Sequence, residues 1–438
     1  MNAIPGPSRW ATLRGLLPVP FRRFPEFLRA MARRYGNLLA FTLPWRSYVF
    51  VNEPALVKDI LVTQQRAFSK SLGTRVLGLL LGDGLLTSED PLHRRMRRIV
   101  QPAFHRERIQ EYARIMERDA AEFAERLEPN QPFDAYGAMS ELTLRIATET
   151  LFGSDESDSS HAVRDALRLM MNEFPYMLTP AGALRQRLPL QSTRRFGRAR
   201  AMLDEMMYGL IARRRADRSE RTDALSMLLR ASEAETKDRP SDKQLRDEIM
   251  TLFIAGHETT ANALTWTLLL LSQHDAVDRR VATAARDGDR AYLGRVVKEV
   301  LRLYPPAWII GRETTSDVTL VDGTPIASGT TVFVAPLILH RRPDYFANPE
   351  RFDPDRWLGD EPAPFSYIPF GAGARRCIGE EFALQETAIV LETLARRYRF
   401  ALEPGTRVEA AALVTLRPAG PVPMRAVERT SAQASVLG

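Results

Sequence analysis

A single cysteine, Cys377, stands among 438 residues, which excludes an intramolecular disulfide and any cysteine-rich zinc site. Such scarcity suits a reducing compartment, and a cytoplasmic protein is expected. Long apolar runs are missing as well. The opening MNAIPGPSRWATLRGLLPVPFRRF is broken by Arg9, Arg14, Arg22, Arg23 and repeated prolines, so it offers neither a signal-peptide core nor a spanning helix, and no transmembrane anchor is expected. A concentrated basic tract is the third absence. Lys plus Arg (61) exceed Asp plus Glu (54), giving +7, but the arginines are scattered through helical patterns without interleaved aromatics. No nucleic-acid partner is expected, while an acidic protein or an anionic surface stays compatible with the charge. What is present is an ordinary globular balance, 45% hydrophobic and 26% charged, enough for a large core. Length alone suggests two or three domains.

Along the chain, Phe24 to Tyr35 reads as a helix, FTLPWRSYVFVNEP as a hairpin broken at Pro44, and Pro54 to Val62 as another helix. The stretch LGTRVLGLLLGDGLLTSEDP is apolar but punctuated by Gly73, Gly78, Gly82 and Gly84, which predicts a buried, adaptable loop of the kind that lines pockets. From about Leu92 to Leu271 helical periodicity dominates, with breaks at Pro132, Gly153, Pro175, Pro180 to Gly182 and Pro189. Ser241-Asp-Lys-Gln244 has the form of a capping box and opens one very long helix to about Gln273. A helix around Leu293 to Leu303, β-like segments from Ile309 to Val334, a proline-rich coil from Pro343 to Pro369, a helix from about Ile378 to Tyr398 and a β-like tail complete the chain. No internal repeat and no flexible linker interrupts it.

The sharpest chemical signal is the segment FGAGARRCIG, from Phe370 to Gly379. Glycines let a backbone turn tightly and lie against a flat ligand. A cysteine leading into a helix has its thiolate favoured by unpaired N–H groups and the helix dipole. A lone cysteine is more often a small buried hydrophobe, but Phe370, Gly373, Arg375, Cys377 and Gly379 fall in the pattern F-x-x-G-x-R-x-C-x-G. That pattern resembles the haem-binding loop of the cytochrome P450 family, and the resemblance implies that Cys377 is the axial ligand of a haem iron, the haem being heme b.

A second signal lies mid-way along the long helix, in Ala255-Gly-His-Glu-Thr-Thr260. A glycine inside a helix costs about 1 kcal/mol relative to alanine, and a buried glutamate without a partner costs more. Leu252, Ala255, Gly256 and Thr259 share one face at i, i+3, i+4 and i+7, a stripe that suits a flat macrocycle; close packing on another helix, with Glu258 in an ion pair, is the plainer alternative. A zinc-protease reading of His257-Glu258 fails because residue 261 is alanine where H-E-x-x-H needs histidine. By resemblance, Glu258 and Thr259 are the catalytic acid–alcohol pair that relays protons to dioxygen, and Ala255 and Gly256 leave room for it.

A third signal, Glu299-Val-Leu-Arg302, would in isolation be a surface pair of small energy. With the downstream Asn348-Pro-Glu-Arg-Phe352 it resembles the family's buried Glu-Arg-Arg network, made here of Glu299, Arg302 and Arg351 and holding the coil that presents Cys377. The planar fork of arginine suits carboxylates. The resemblance assigns the haem propionates to His93 and Arg97 in LHRRMRRIV, to Arg312 and to Arg375. His340, in an L-H-R-x-P-D segment, is read as structural.

The resemblance spans nearly the whole chain and implies one mainly helical, triangular fold with small β-sheets, a single haem domain over 1–438 with a β-rich part to about 65, a helical bulk to about 305 and a cysteine-loop part beyond. It further implies a monomeric haem-thiolate monooxygenase that uses O2 and NAD(P)H-derived electrons to hydroxylate or epoxidise a small molecule. The electrons come from a ferredoxin or flavodoxin with its reductase, docking on residues such as Arg94, Arg95, Arg98 and Arg376. The expected lining segments, 72–86, 170–178, Ala307 to Ile310 and Leu413 to Thr415, are mainly apolar. They suggest a lipophilic substrate such as a fatty acid, terpenoid or steroid. Two rivals remain at this level. A hydroperoxide-driven peroxygenase or isomerase would not need Glu258 and Thr259, and a non-catalytic haem sensor would need an output domain.

Overall fold

The computed structural model describes residues 4–16, 24–43, 46–153, 160–178, 188, 190–217, 219, 221–235 and 239–429. The N-terminal part follows its composition: helix α1 (Phe24–Tyr35) leads into strands β1 (Leu38–Leu43) and β2 (Arg46–Val51). The helix foreseen from Pro54 ends at Lys58 and continues as a π-turn, Asp59–Thr63. Strand β3 (Phe68–Lys70), with β4 (Ile310–Thr314) and β5 (Thr331–Val334), completes one sheet in the order β1-β2-β5-β4-β3. This sheet ties the chain's start to the segment after the helical bulk, and its register sets Lys70 opposite Arg312.

The helical bulk includes α2 (Leu72–Leu81), α3 (Leu92–Val100), α4 (Arg106–Arg126), α5 (Ala135–Phe152), α6 (Ser160–Met177), α7 (Gln191–Ala216), α8 (Asp242–Gln273) and α9 (Arg290–Leu303), with further helices at Ala224–Ala234 and Asp275–Asp287, and α10 (Glu380–Arg397) follows the cysteine loop. A short hairpin of β6 (Ala410–Ala412) and β7 (Leu416–Pro418) closes over the far half of α8. The structure corrects one expectation here. The glycine-punctuated stretch from Leu72 is helical, because burial of Leu80 and Leu81 against α3, α5 and α8 outweighs the propensity cost of Gly73 and Gly78. The turn after it is pressed so closely onto α8 that a Cβ on Gly84 would lie 2.1 Å from Thr251 Oγ1 and 2.5 Å from the Asp247 carbonyl. The predicted break at Gly153 is a left-handed helix end, whereas α6 runs through Pro175 to Met177. The breaks predicted at Pro44, Pro180 to Gly182 and Pro189 lie outside the described residues.

Helix α8 organises the rest. Its capping box forms as read: Gln244 N–H donates to Ser241 Oγ, and Ser241 N–H donates to the Gln244 side chain. The helix is buried on nearly all sides, polar residues such as Glu248, Glu258 and Asn262 included, which marks a central element. Leu245, Ile249 and Phe253 join the core shared with α3, α5, α6 and α7. Leu264 and Leu268 join a second core with α4, α5 and α10, and Trp266 and Leu269 a third with α9 and α10. Ala255 breaks this pattern. It is exposed in the middle of a buried helix, so an internal hollow opens there. Among the described residues no helix is long and apolar enough to cross a membrane.

Candidate active site around Cys377

The cysteine loop is shaped by its backbone. A short 3-10 turn, Gly373–Arg375, precedes Cys377, and the Cys377 N–H donates to the Phe370 carbonyl at 2.9 Å. Gly373 has φ +70° and faces the Leu61 carbonyl so closely that a Cβ would lie 2.0 Å from its oxygen; no other residue fits there. Gly379, the N-cap of α10, is less constrained, since a methyl would meet the Phe104 ring at an ordinary 3.6 Å. Cys377 is accessible, yet burial pushes its thiol up to about 11, against the Gly379 N–H and the charges of Arg97 and Arg376. Both hold for a side chain that faces an internal hollow, walled by protein but open to a water-sized molecule. The helix start alone therefore does not ionise this thiol. A metal cation at sulfur would.

Cations gather beside the loop. Burial, aided by Arg375, brings Arg312 down to about 10, and no carboxylate within ion-pair distance accompanies it among the described residues; its one hydrogen bond goes to the Gly311 carbonyl. Lys70, directly opposite on β3, is lowered to about 7 by burial and by Arg375, and its Nζ donates to the Leu85 carbonyl at 3.1 Å. Like charges opposite each other on antiparallel strands are destabilising. Arg97 donates to the Arg376 carbonyl at 2.8 Å. His93 is buried and held down to about 3 by that burial and by Arg375 and Lys70, so it stands there as a neutral imidazole. Arg375 is ion-paired with Glu89 at 2.8 Å and stands 3.7 Å from Asp90, whose carboxylate also lies 3.5 Å from His93 Nδ1. A thiol facing a hollow, a glycine cradle and a set of under-compensated cations fit a flat group carrying one metal and two carboxylates, which is haem. Lys70 escaped sequence reasoning because its proximity to Arg312 arises only from sheet pairing.

On α8, Ala255 is exposed and Gly256 and Thr259 are half-buried. Gly256 does not open onto the hollow: a methyl there would point at Leu151 of α5, 3.5 Å away, so its smallness serves helix packing. Thr259 Oγ1 donates to the Ala255 carbonyl at 2.7 Å. Glu258 turns aside to the β6–β7 turn, where it accepts from Thr415 Oγ1 at 2.8 Å and stands 3.8 Å from Arg417. Burial raises its carboxyl above the ordinary range, against Arg417 and Thr415. Thr415 was expected only as the end of a lining segment, and Arg417 had no sequence signal beyond lying near the end of the resemblance.

Behind the cysteine loop, Glu299 and Arg302 are fully buried and paired at 2.8 Å. The third arginine is not Arg351. Its side chain is exposed, and only its carbonyl enters the network, accepting from Arg302 at 3.0 Å. Arg356 reaches Glu299 instead, at 3.2 Å, because the 3-10 turn Pro354–Leu358 swings it inward. Buried His340 accepts the Ile368 N–H at 2.9 Å, in keeping with a structural role.

The expected lining segments meet in pairs. Val76, Leu77 and Leu80 of α2 and Met170, Met171 and Phe174 of α6 share one apolar hollow. Trp308 Nε1 donates to the Leu413 carbonyl at 2.9 Å, which joins the other two segments. The basic surface is more neutralised than composition suggests: Arg94, Arg98 and Arg376 pair with Asp90, Glu235 and Glu380.

Comparison with known proteins agrees with this geometry. Residues 4–415 match the family described as Cytochrome P450. The chain is 36% identical over 417 residues to cyclooctatin synthase of Streptomyces melanosporofaciens, an alignment covering 91% of this chain and 90% of that protein. It is 35% identical over 405 residues to cyclooctat-9-en-7-ol 5-monooxygenase of the same organism, covering 88% and 87%. It is 32% identical over 432 residues to pentalenene oxygenase of Streptomyces avermitilis, covering 94% of each. A match along nearly the whole chain, centred on a cysteine loop and a threonine-bearing central helix, means that the chain belongs to the cytochrome P450 family and is a haem-thiolate monooxygenase.

Proposed function

We propose that this monooxygenase, one haem unit over 1–438, hydroxylates a terpenoid. The observations that carry the reading are the exposure of Cys377 on its loop and of Ala255 within an otherwise buried helix, together with the apolar hollow lined by α2 and α6. The named relatives act on cyclooctat-9-en-7-ol and pentalenene by their descriptions, and a Met-rich, Leu-rich lining suits such compact, apolar ligands. Cys377 would hold the iron of heme b, with His93, Arg97, Arg312, Arg375 and Lys70 about its propionates. Haem bound there supplies the reductive activation of O2. Ala255 would leave room for that group, and Thr259, one turn on along the same helix face, would supply the hydroxyl beside it. Burial raises the Glu258 carboxyl and so makes it a readier proton carrier than an exposed carboxylate, and a rotation from Thr415 toward Thr259 would move a proton it carries to the reacting side. Electrons arrive from a ferredoxin or flavodoxin with its NAD(P)H reductase, meeting the mixed-charge face of Arg94, Arg95, Arg98 and Arg376 in a cytoplasmic setting.

The test is twofold. The reduced, carbon monoxide-bound protein should show the thiolate-type Soret band, lost in Cys377→His. With surrogate redox partners it should convert a cyclic diterpene or sesquiterpene to an alcohol. A wild-type protein that takes up no haem overturns the site; a holoenzyme that oxidises only fatty acids or steroids overturns the substrate class.

A further inference from the structure

Arg417 is a buried cation divided among three helices. It stands on β7, 8% exposed. Its Nη2 donates to Asn172 of α6, its Nη1 stands 3.8 Å from Glu258 Oε1 of α8, and the Tyr136 hydroxyl of α5 meets the same guanidinium. At 3.8 Å the ion pair is held open, beyond hydrogen-bond range. A buried carboxylate and a guanidinium so near would close into a charge-assisted contact unless something held them apart. Two restraints do so. Asn172 holds the cation, and Thr415 Oγ1, itself anchored by Asn262 at 3.2 Å, holds the carboxyl. Asn172 lies between Met171 and Phe174 on α6, and these two residues line the apolar hollow shared with α2. Whatever fills that hollow therefore bears on the helix that restrains Arg417.

We propose that Arg417 is a positioning residue that ties Glu258 to the seating of α6. With α6 seated, Asn172 keeps the guanidinium back and Glu258 rests on Thr415, free to turn to Thr259. With α6 withdrawn, Arg417 closes on Glu258 and holds it as a carboxylate away from Thr259. Proton delivery is thereby linked to an occupied pocket, which would limit unproductive turnover without substrate. The inference rests on the reading of Glu258 as the proton-delivering acid. Besides Arg417, the titratable or charged groups bearing on Glu258 among the described residues are Tyr136 of α5 and, through Tyr136, Arg168 of α6.

The experiment follows the infrared C=O stretch of protonated Glu258, identified by its loss in Glu258→Gln, across pH in the resting holoenzyme. Asn172→Ala frees Arg417 for the carboxylate and should move the titration midpoint down by about one pH unit. Arg417→Leu removes the cation and should move it up by about as much, and Arg417→Lys should return it toward wild type. If Arg417→Leu does not fold, Arg417→Gln, which also removes the cation, supplies the upward shift to set against Asn172→Ala. Midpoints of Asn172→Ala and of the Arg417 variants lacking the cation that coincide with wild type, while the thiolate–carbon monoxide band is kept, overturn the coupling and leave the monooxygenase reading intact. A wild-type band that is absent throughout, meaning a carboxylate at every pH, overturns it as well. Loss of the carbon monoxide band in the wild type is the separate failure of the haem site.

Discussion

Two buried glutamates, Glu299 behind the cysteine loop and Glu258 above it, show how one fold treats the same side chain in opposite ways. Glu299 Oε1 accepts from Arg302 at 2.9 Å, the Asp353 N–H at 3.0 Å and Arg356 at 3.2 Å, while Oε2 accepts from Arg302 at 2.8 Å and Trp357 at 3.0 Å. Those five donors exhaust the roughly four lone-pair sites of a carboxylate. Among the described residues Glu258 has one hydrogen bond, from Thr415, and a cation held at a distance. A saturated carboxylate has nowhere to go and fixes the coil that presents the thiol. An under-satisfied one keeps a second arrangement within reach, which is what a group that must carry a proton needs.

The contrast breaks most visibly at Glu299. Replacing it with Gln leaves Arg302 charged and fully buried without its counter-ion, at a cost of about 3–5 kcal/mol. Glu299→Gln should express as a haem-poor protein with a sharply lowered denaturant midpoint; a wild-type midpoint and full haem content would show that the network is dispensable. Glu258→Gln should do the reverse. It should leave the denaturant midpoint within about 1 kcal/mol of wild type, because a carboxyl that burial already favours as neutral is replaced by a neutral amide. Product formation should fall about 100-fold, with a larger solvent isotope effect. A variant that is unstable yet active at the normal rate would place Glu258 with Glu299 as a structural residue.

A third buried glutamate supplies the pH arm of the comparison. Glu248, on α8, accepts the Leu85 N–H at 3.1 Å, but burial outweighs that bond and raises its carboxyl to about 8. The folded protein thus binds a proton that the unfolded chain releases near the ordinary glutamate value, so stability falls as pH rises between those two points. Relative to Glu248→Gln, the wild type should lose up to about 1.4 kcal/mol per pH unit from about pH 4.5 to pH 8, levelling off above. Parallel stability curves for the two proteins would mean that Glu248 is ionised in the native state.

Much of this was legible before any coordinates. The capping box at Ser241, the F-x-x-G-x-R-x-C-x-G loop and the helix carrying Ala255 and Thr259 are local patterns whose meaning depends on neighbours a few residues away. What stayed hidden depends on distant partners. The helix from Leu72 forms against its glycines because Leu80 and Leu81 find a core contributed by residues far along the chain. Lys70 gains its meaning from Arg312 across a sheet. Glu258 is defined as much by Thr415 and Arg417 as by its own helix, and no spacing in the sequence joins them. A tertiary contact between short, irregular segments leaves no periodicity to read.

Arg351 and Arg356 give the finest test of that limit. Both lie in the coil after Asn348, both are arginines, and a pattern read along the chain favoured Arg351. The turn Pro354–Leu358 decides otherwise, since it carries the guanidinium of Arg356 to Glu299 and leaves that of Arg351 in solvent. Because the Arg351 carbonyl, which is what Arg302 uses, survives truncation of the side chain, Arg351→Ala should change stability by less than about 0.5 kcal/mol. Arg356→Ala removes a donor from a buried carboxylate and should cost about 1–3 kcal/mol. Chemical denaturation of the two holoenzymes side by side measures the difference, and equal losses would return Arg351 to the network.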